Sequence, residues 1–112
     1  MLTRLVKMSF PAANAAEFIR LFENAKPVIE SMQGNTGVRL LSDALPVSEM
    51  NRLEKNTGSV IFFTHSTWHL EADLEAYRQS KFFRATWAKT KQLFDAKPEA
   101  WSVYDVDNSL LK

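Results

Sequence analysis

The sequence predicts a single α+β domain over residues 1–112, ferredoxin-like, with a four-stranded antiparallel sheet in the split βαββαβ order. Three observations predict it. Apolar residues recur in short runs in some segments and at three- and four-residue steps in others, the two periods of strand and helix. Pro11, Gly34 and Pro98 punctuate the chain where the period changes. The resulting series is strand, helix, strand, strand, helix, strand.

The first strand is the run Leu2 to Phe10, which mixes Leu5, Val6, Met8 and Phe10 with Arg4 and Lys7 and ends at Pro11. From Ala12 onward Phe18, Leu21, Phe22, Ala25, Ile29 and Met32 trace the stripe of an amphipathic helix. Pro27 should bend that helix, because it removes a backbone donor and crowds the preceding turn. Gly34 should stop it in a left-handed conformation. Val38 to Ser42 and Ser59 to Thr67 read as the second and third strands. The connection between them, Asp43 to Gly58, is longer than a hairpin needs, and the spacing of Val47, Met50 and Leu53 predicts a short helical turn inside it.

Leu70 to Phe94 reads as helix with a fault at Ser80-Lys81. Leu70, Leu74 and Tyr77 share one face, whereas Phe83, Trp87 and Phe94 share another, so a kink or two consecutive helices are expected. Pro98 bars continuation. Trp101 to Val106 is the fourth strand, with Trp101 expected to cap the end of the core.

Val60, Ile61, Phe62 and Phe63 are apolar at consecutive positions, so both faces of the third strand call for burial. Two helices cover one face of a four-stranded sheet. A second copy of the same sheet is the economical cover for the other, and a homodimer is expected.

Composition narrows the function. A formal charge of +1 gives no reason to expect a nucleic-acid or membrane partner. The basic residues Arg78, Lys81, Arg84, Lys89 and Lys91 follow Glu71, Asp73 and Glu75, the order that suits a helix dipole on a solvated face. With no cysteine, thiol nucleophiles, disulfides and thiolate metal sites are excluded. Arg4 and Lys7 interrupt the apolar stretch before Ala12, so no signal-peptide core is read there, and a cytoplasmic location is expected.

The pieces Phe63-x-x-x-x-Trp68, Leu74-x-x-Tyr77-x-x-Ser80, Trp87 with Thr90-Lys91, Phe94 and Pro98-Glu99-Ala100-Trp101-Ser102 together resemble the antibiotic-biosynthesis-monooxygenase-like family of dimeric α+β barrels. The resemblance covers nearly the whole chain and implies a pocket inside each subunit, between helices and sheet. It implies two oxygenase chemistries. One is haem degradation, in which the iron-ligating His would fall at the position of Trp87; an indole has no lone pair suited to iron, so that route is rejected. The other is cofactor-free oxygenation of aromatic polyketides, in which Trp68 would hold the substrate and an Asn would stand where this chain has Thr64. A threonine hydroxyl can still donate to a developing oxyanion. No cofactor is implied.

The remaining candidates follow from residue type. His65 is in the right range for a general base, but strand alternation sets it opposite Thr64 and Ser66; if Thr64 faces the pocket, His65 faces the barrel interior or a partner subunit. His65 and His69 straddle a strand-to-helix junction without a third ligand nearby, so no metal site is assigned. Trp68, Tyr77 and Trp87 either line a pocket for a flat ligand or belong to the core. Arg84, three residues before Trp87, either anchors a carboxylate or lies on a solvated face. Ser80 has no acid or base partner in sequence. Three functions stay open: a cofactor-independent monooxygenase-like enzyme acting on a small aromatic molecule, a non-catalytic module that holds a metabolite in the same cavity, and a purely structural or orphan role.

Overall fold

The computed structural model describes residues 1–42 and 58–106. The predicted turn at Val47, Met50 and Leu53 lies outside them. Strand β1 (Leu2–Pro11) leads through a 3-10 turn at Ala12–Asn14 into helix α1 (Ala15–Glu30). Strands β2 (Asn35–Ser42) and β3 (Ser59–Trp68) follow, then helices α2 (Glu71–Arg78) and α3 (Lys81–Thr90) and strand β4 (Glu99–Tyr104). The sheet order is β2-β3-β1-β4 and every pairing is antiparallel, the ferredoxin-like arrangement.

Local chemistry accounts for the boundaries. Gly34 has φ of 81°, open to glycine at little cost, and a Cβ there would overlap the side chain of Asp73. Its carbonyl accepts the N–H of His69 at 2.8 Å, tying the start of β2 to the end of β3. Strand β2 starts earlier than its apolar run predicts. Asn35 pairs with Trp68, a bulge intervenes, and the Asn35 side chain accepts the Gly37 N–H at 2.9 Å. The fault predicted at Ser80-Lys81 is a break into two helices. The Ser80 hydroxyl caps α3 by accepting the Phe83 N–H at 3.1 Å and donates to the Tyr77 carbonyl at 2.6 Å. Leu70, expected on the buried face, is the N-cap position of α2 and is exposed.

The core lies between helices and sheet. Met8 and Phe10 from β1, Val60 and Phe62 from β3, and Phe18 and Phe22 from α1 pack there, with Phe10 fully buried. Burying a side chain of that size contributes roughly 1.5–3 kcal/mol. Phe10 stacks on Phe18 at 4.3 Å and meets Phe94 at 5.2 Å.

Alternation sends the intervening residues to the other face of the sheet. Leu5 stands opposite both His65 and Trp101, Phe63 opposite Leu41, and Val103 opposite Thr3. Trp101 therefore does not cap the helix-side core. Strand β4 begins at Glu99, two residues before the predicted start, so that Trp101 pairs with Leu5 and is 41% exposed. Among the described residues no helix is long and apolar enough to cross a membrane.

Candidate functional site

Two cross-strand rows form the floor of the site. One runs Val38, Ser66, Arg4, Ser102, and the next runs Leu40, Thr64, Val6, Ala100. Both face the helices. Above them is a cavity of about 340 Å³, with Arg4, Val6, Thr64 and Ser66 on the sheet side and Phe18, Phe22 and Ile29 from α1 along one wall. Helices α2 and α3 supply Tyr77, Phe83 and Trp87 to the other wall.

That wall is a continuous file of rings. Trp68 stacks on Tyr77 at 5.2 Å, Tyr77 meets Phe83 edge-on at 5.1 Å, Phe83 lies parallel to Trp87 at 6.0 Å, and Trp87 meets Phe94 at 5.5 Å. Offset and edge-to-face packing holds each ring by its neighbours. The file exists because Ser80 resets the helix. Counted from that cap, Phe83, Thr86, Trp87 and Thr90 fall at i, i+3, i+4 and i+7 and all line the cavity.

The site residues expected from sequence divide accordingly. Thr64, Tyr77 and Trp87 line the cavity. Trp68 does not; it is fully buried behind Tyr77, and its indole N–H donates to the Ser66 hydroxyl at 3.0 Å. His65 is on the opposite face of the sheet, beside Leu5 and Arg39, because adjacent strand residues point apart. Arg84 falls outside the cavity-facing positions of α3, is exposed, and donates to Gln79 at 3.2 Å.

The sequence reading missed Arg4 and Arg78, both of which line the cavity. Arg4 had a signal: it occupies the inward phase of the alternation Leu2, Arg4, Val6, Met8, Phe10. Arg78 follows Leu74 by one helical turn and was masked by its membership of a basic face.

The polar tips of the wall are chemically distinctive. Among the described residues, neither the Tyr77 hydroxyl nor the Trp87 indole N–H has a hydrogen-bond partner. Burial pushes the Tyr77 phenol up to about 12, so it is a proton-bearing donor at neutral pH and not a base. Thr90, by contrast, is buried and satisfied, donating to the Thr86 carbonyl at 2.8 Å.

The lining does not fit haem. No histidine contributes to it, Trp87 has no ligating lone pair, and the Tyr77 phenol is held protonated. Among the described residues no group of three His, Cys, Asp or Glu is placed to hold a metal ion.

A four-stranded sheet of this order, with a small-molecule-sized cavity under its helices, defines the class as a ferredoxin-like α+β protein. Within that class, the family model for antibiotic biosynthesis monooxygenase matches residues 1–89. The chain belongs to that family. Solved structures agree in fold at low identity. Rv0793 from Mycobacterium tuberculosis superposes with a TM-score of 0.71 at 11% identity, covering 96% of this chain and 97% of its own. PA3566 from Pseudomonas aeruginosa gives 0.72 at 14%, with 95% and 94% covered. A crystal structure named antibiotic biosynthesis monooxygenase gives 0.75 at 12%, with 96% and 100% covered. At these identities the likeness is one of fold alone. No functionally curated protein matches the chain.

Proposed function

We propose that this chain is a homodimeric, cofactor-independent monooxygenase-like protein of the cytoplasm that acts on a small planar aromatic molecule held in the cavity. The observation that carries the reading is the aromatic wall of a largely apolar cavity, on which the Tyr77 O–H and Trp87 N–H have no partner among the described residues. Both rings are only partly buried and face the open space, where a ligand oxygen can take these donors. The rings bind a flat substrate by stacking, and Thr64 supplies a further hydroxyl from the floor.

The chemistry must come from the substrate. Among the described residues, the ionisable side chains lining the cavity are Arg4, Tyr77 and Arg78, with no carboxylate or imidazole beside them. A substrate acidic enough to ionise by itself transfers electrons to dioxygen from its own anion. The reaction then balances without an external reductant: a ring methylene loses four electrons and becomes a carbonyl, one oxygen atom enters it, and the other leaves as water. Homodimerisation is supported by the apolar residues Leu5, Ile61, Phe63 and Trp101 on the face away from the helices.

The absence of a base among the described lining residues also favours a second reading, a binding module that holds such a molecule without changing it. Thr64→Val separates the two, since it keeps the shape and removes the hydroxyl. With anthrone as substrate and an oxygen electrode as readout, an oxygenase should lose rate by about one to two orders of magnitude. Oxygen uptake no faster than the uncatalysed reaction, with anthrone still bound, would leave the binding module standing.

A further inference from the structure

Arg4 and Arg78 approach the same cavity from two elements, one from the floor strand β1 and the other from helix α2. Arg4 stands in the row Val38, Ser66, Arg4, Ser102, with hydroxyls on both strand neighbours. The Ser102 hydroxyl takes one of its N–H groups at 3.0 Å, and a guanidinium has five such donors. Arg78 gives one to Glu75 at 2.9 Å, with 41% of the Arg78 side chain exposed.

Among the described residues, Glu75 acts on both arginines, so two cations there answer to one carboxylate. Burial, and after it the nearby charge of Arg78, holds the Arg4 guanidinium below its ordinary range, with Glu75 opposing. A partly desolvated cation beside a like charge is relieved by an anion. Guanidiniums, planar and forked, are the side chains best suited to receive two oxygens of one group.

We infer that Arg4 and Arg78 form an anion subsite of the cavity, and that its ligand is a planar monoanion whose acidic oxygens lie between the two guanidiniums while its rings lie along Tyr77 and Trp87. This deepens, and rests on, the reading of the cavity as a ligand site. Two guanidiniums with one carboxylate among the described residues suit a singly charged carboxylate, or an ionised phenol or enol, better than a doubly charged phosphate. The hydroxyls of Ser66 and Thr64 complete a polar strip beside Arg4, whereas Phe18, Phe22 and Leu74 keep the rest of the space apolar.

The test is isothermal titration calorimetry of 2-naphthoate against its neutral isostere 2-naphthamide, with wild type, Arg4→Gln and Arg78→Gln. Wild type should bind the carboxylate at least about tenfold tighter than the amide, and each substitution should weaken the carboxylate by roughly tenfold while leaving the amide unchanged. A parallel titration of 4-nitrophenol, whose anion absorbs separately from the neutral form, distinguishes the source of the charge. Preferential uptake of the yellow anion extends the subsite to phenolates, and its absence beside tight naphthoate binding confines it to carboxylates. Equal affinity for naphthoate and naphthamide would overturn the anion subsite and leave the cavity reading intact. Failure of both to bind wild type would overturn the cavity reading and the subsite with it. The wild-type comparison decides the matter even if Arg4→Gln does not fold.

Discussion

Trp68 and Trp87 are joined through the same file of rings, yet replacing each by Phe should have very different effects. The change removes roughly 40 Å² of side-chain surface and about as many Å³ of volume in either case. Trp68 is fully buried and its indole N–H is bonded to Ser66. There the lost burial costs about 1 kcal/mol at ~25 cal/mol per Å². The void adds about 1 kcal/mol more, and loss of the Ser66 bond adds on the order of 1 kcal/mol. Trp68→Phe should therefore destabilise by about 3 kcal/mol. Trp87 is half-buried, already faces the cavity, and has no hydrogen-bond partner among the described residues. Its replacement opens no new void, so about 0.5 kcal/mol is expected. Urea unfolding followed by far-ultraviolet circular dichroism measures both. Equal losses near 3 kcal/mol would refute the reasoning, because Trp87 would then be packed on all sides and the space beside it would not be a cavity.

Two further outcomes are expected. Phe63→Lys, on the sheet face away from the helices, should weaken self-association by roughly two orders of magnitude or more, since it buries an unpaired charge; light scattering should fall toward the 12.8 kDa of one chain, and a wild type that is already monomeric at micromolar concentration would count against the barrel. The Tyr77 phenol, raised from 10.0 to about 12 by burial, should make folding stability fall as pH rises from about 10 to about 12, because the unfolded chain releases that proton first. Tyr77→Phe should remove this component, visible as a smaller pH slope than wild type in matched unfolding curves, and identical slopes would contradict the burial argument.

Much of the fold was legible because it rests on period and punctuation. The switch from the strand of Leu2 to Phe10 to the stripe of Phe18, Phe22 and Ile29 is a local property, as is the break that Ser80 makes by capping α3. The consecutive apolar residues of β3 foretold its two faces, with Val60 and Phe62 toward the helices and Ile61 and Phe63 away. Register was less legible. The start of β4 depends on which residue of β1 Glu99 meets, a long-range fact that no local pattern carries, and so Trp101 was expected to cap the end of the core.

The site was readable by residue type more than by direction. Tyr77 and Trp87 reach the cavity, whereas Trp68, one layer behind, has the same composition signal and a packing role. Arg84 and Arg78 look alike in sequence, six residues apart on a basic stretch. Only the restart of the helix at Ser80 turns one to solvent and lets the other reach the cavity. Arg4 was hidden in a strand whose other inward residues are apolar, where a charge reads as an interruption until a cavity is seen beside it.

The central claim is that the space beside Trp87 receives a planar ligand, and the three indole N–H signals of the chain test it most directly. In a nitrogen-15 correlation spectrum each tryptophan gives one such signal, assigned by single Trp→Phe variants. On titration with neutral 2-naphthol, the Trp87 signal should move and saturate. That of Trp68, held by Ser66, should move less, and that of Trp101, on the far face of the sheet, should stay in place. Saturable movement of Trp101 with Trp87 unmoved, or no saturable movement at any of the three, would contradict the account.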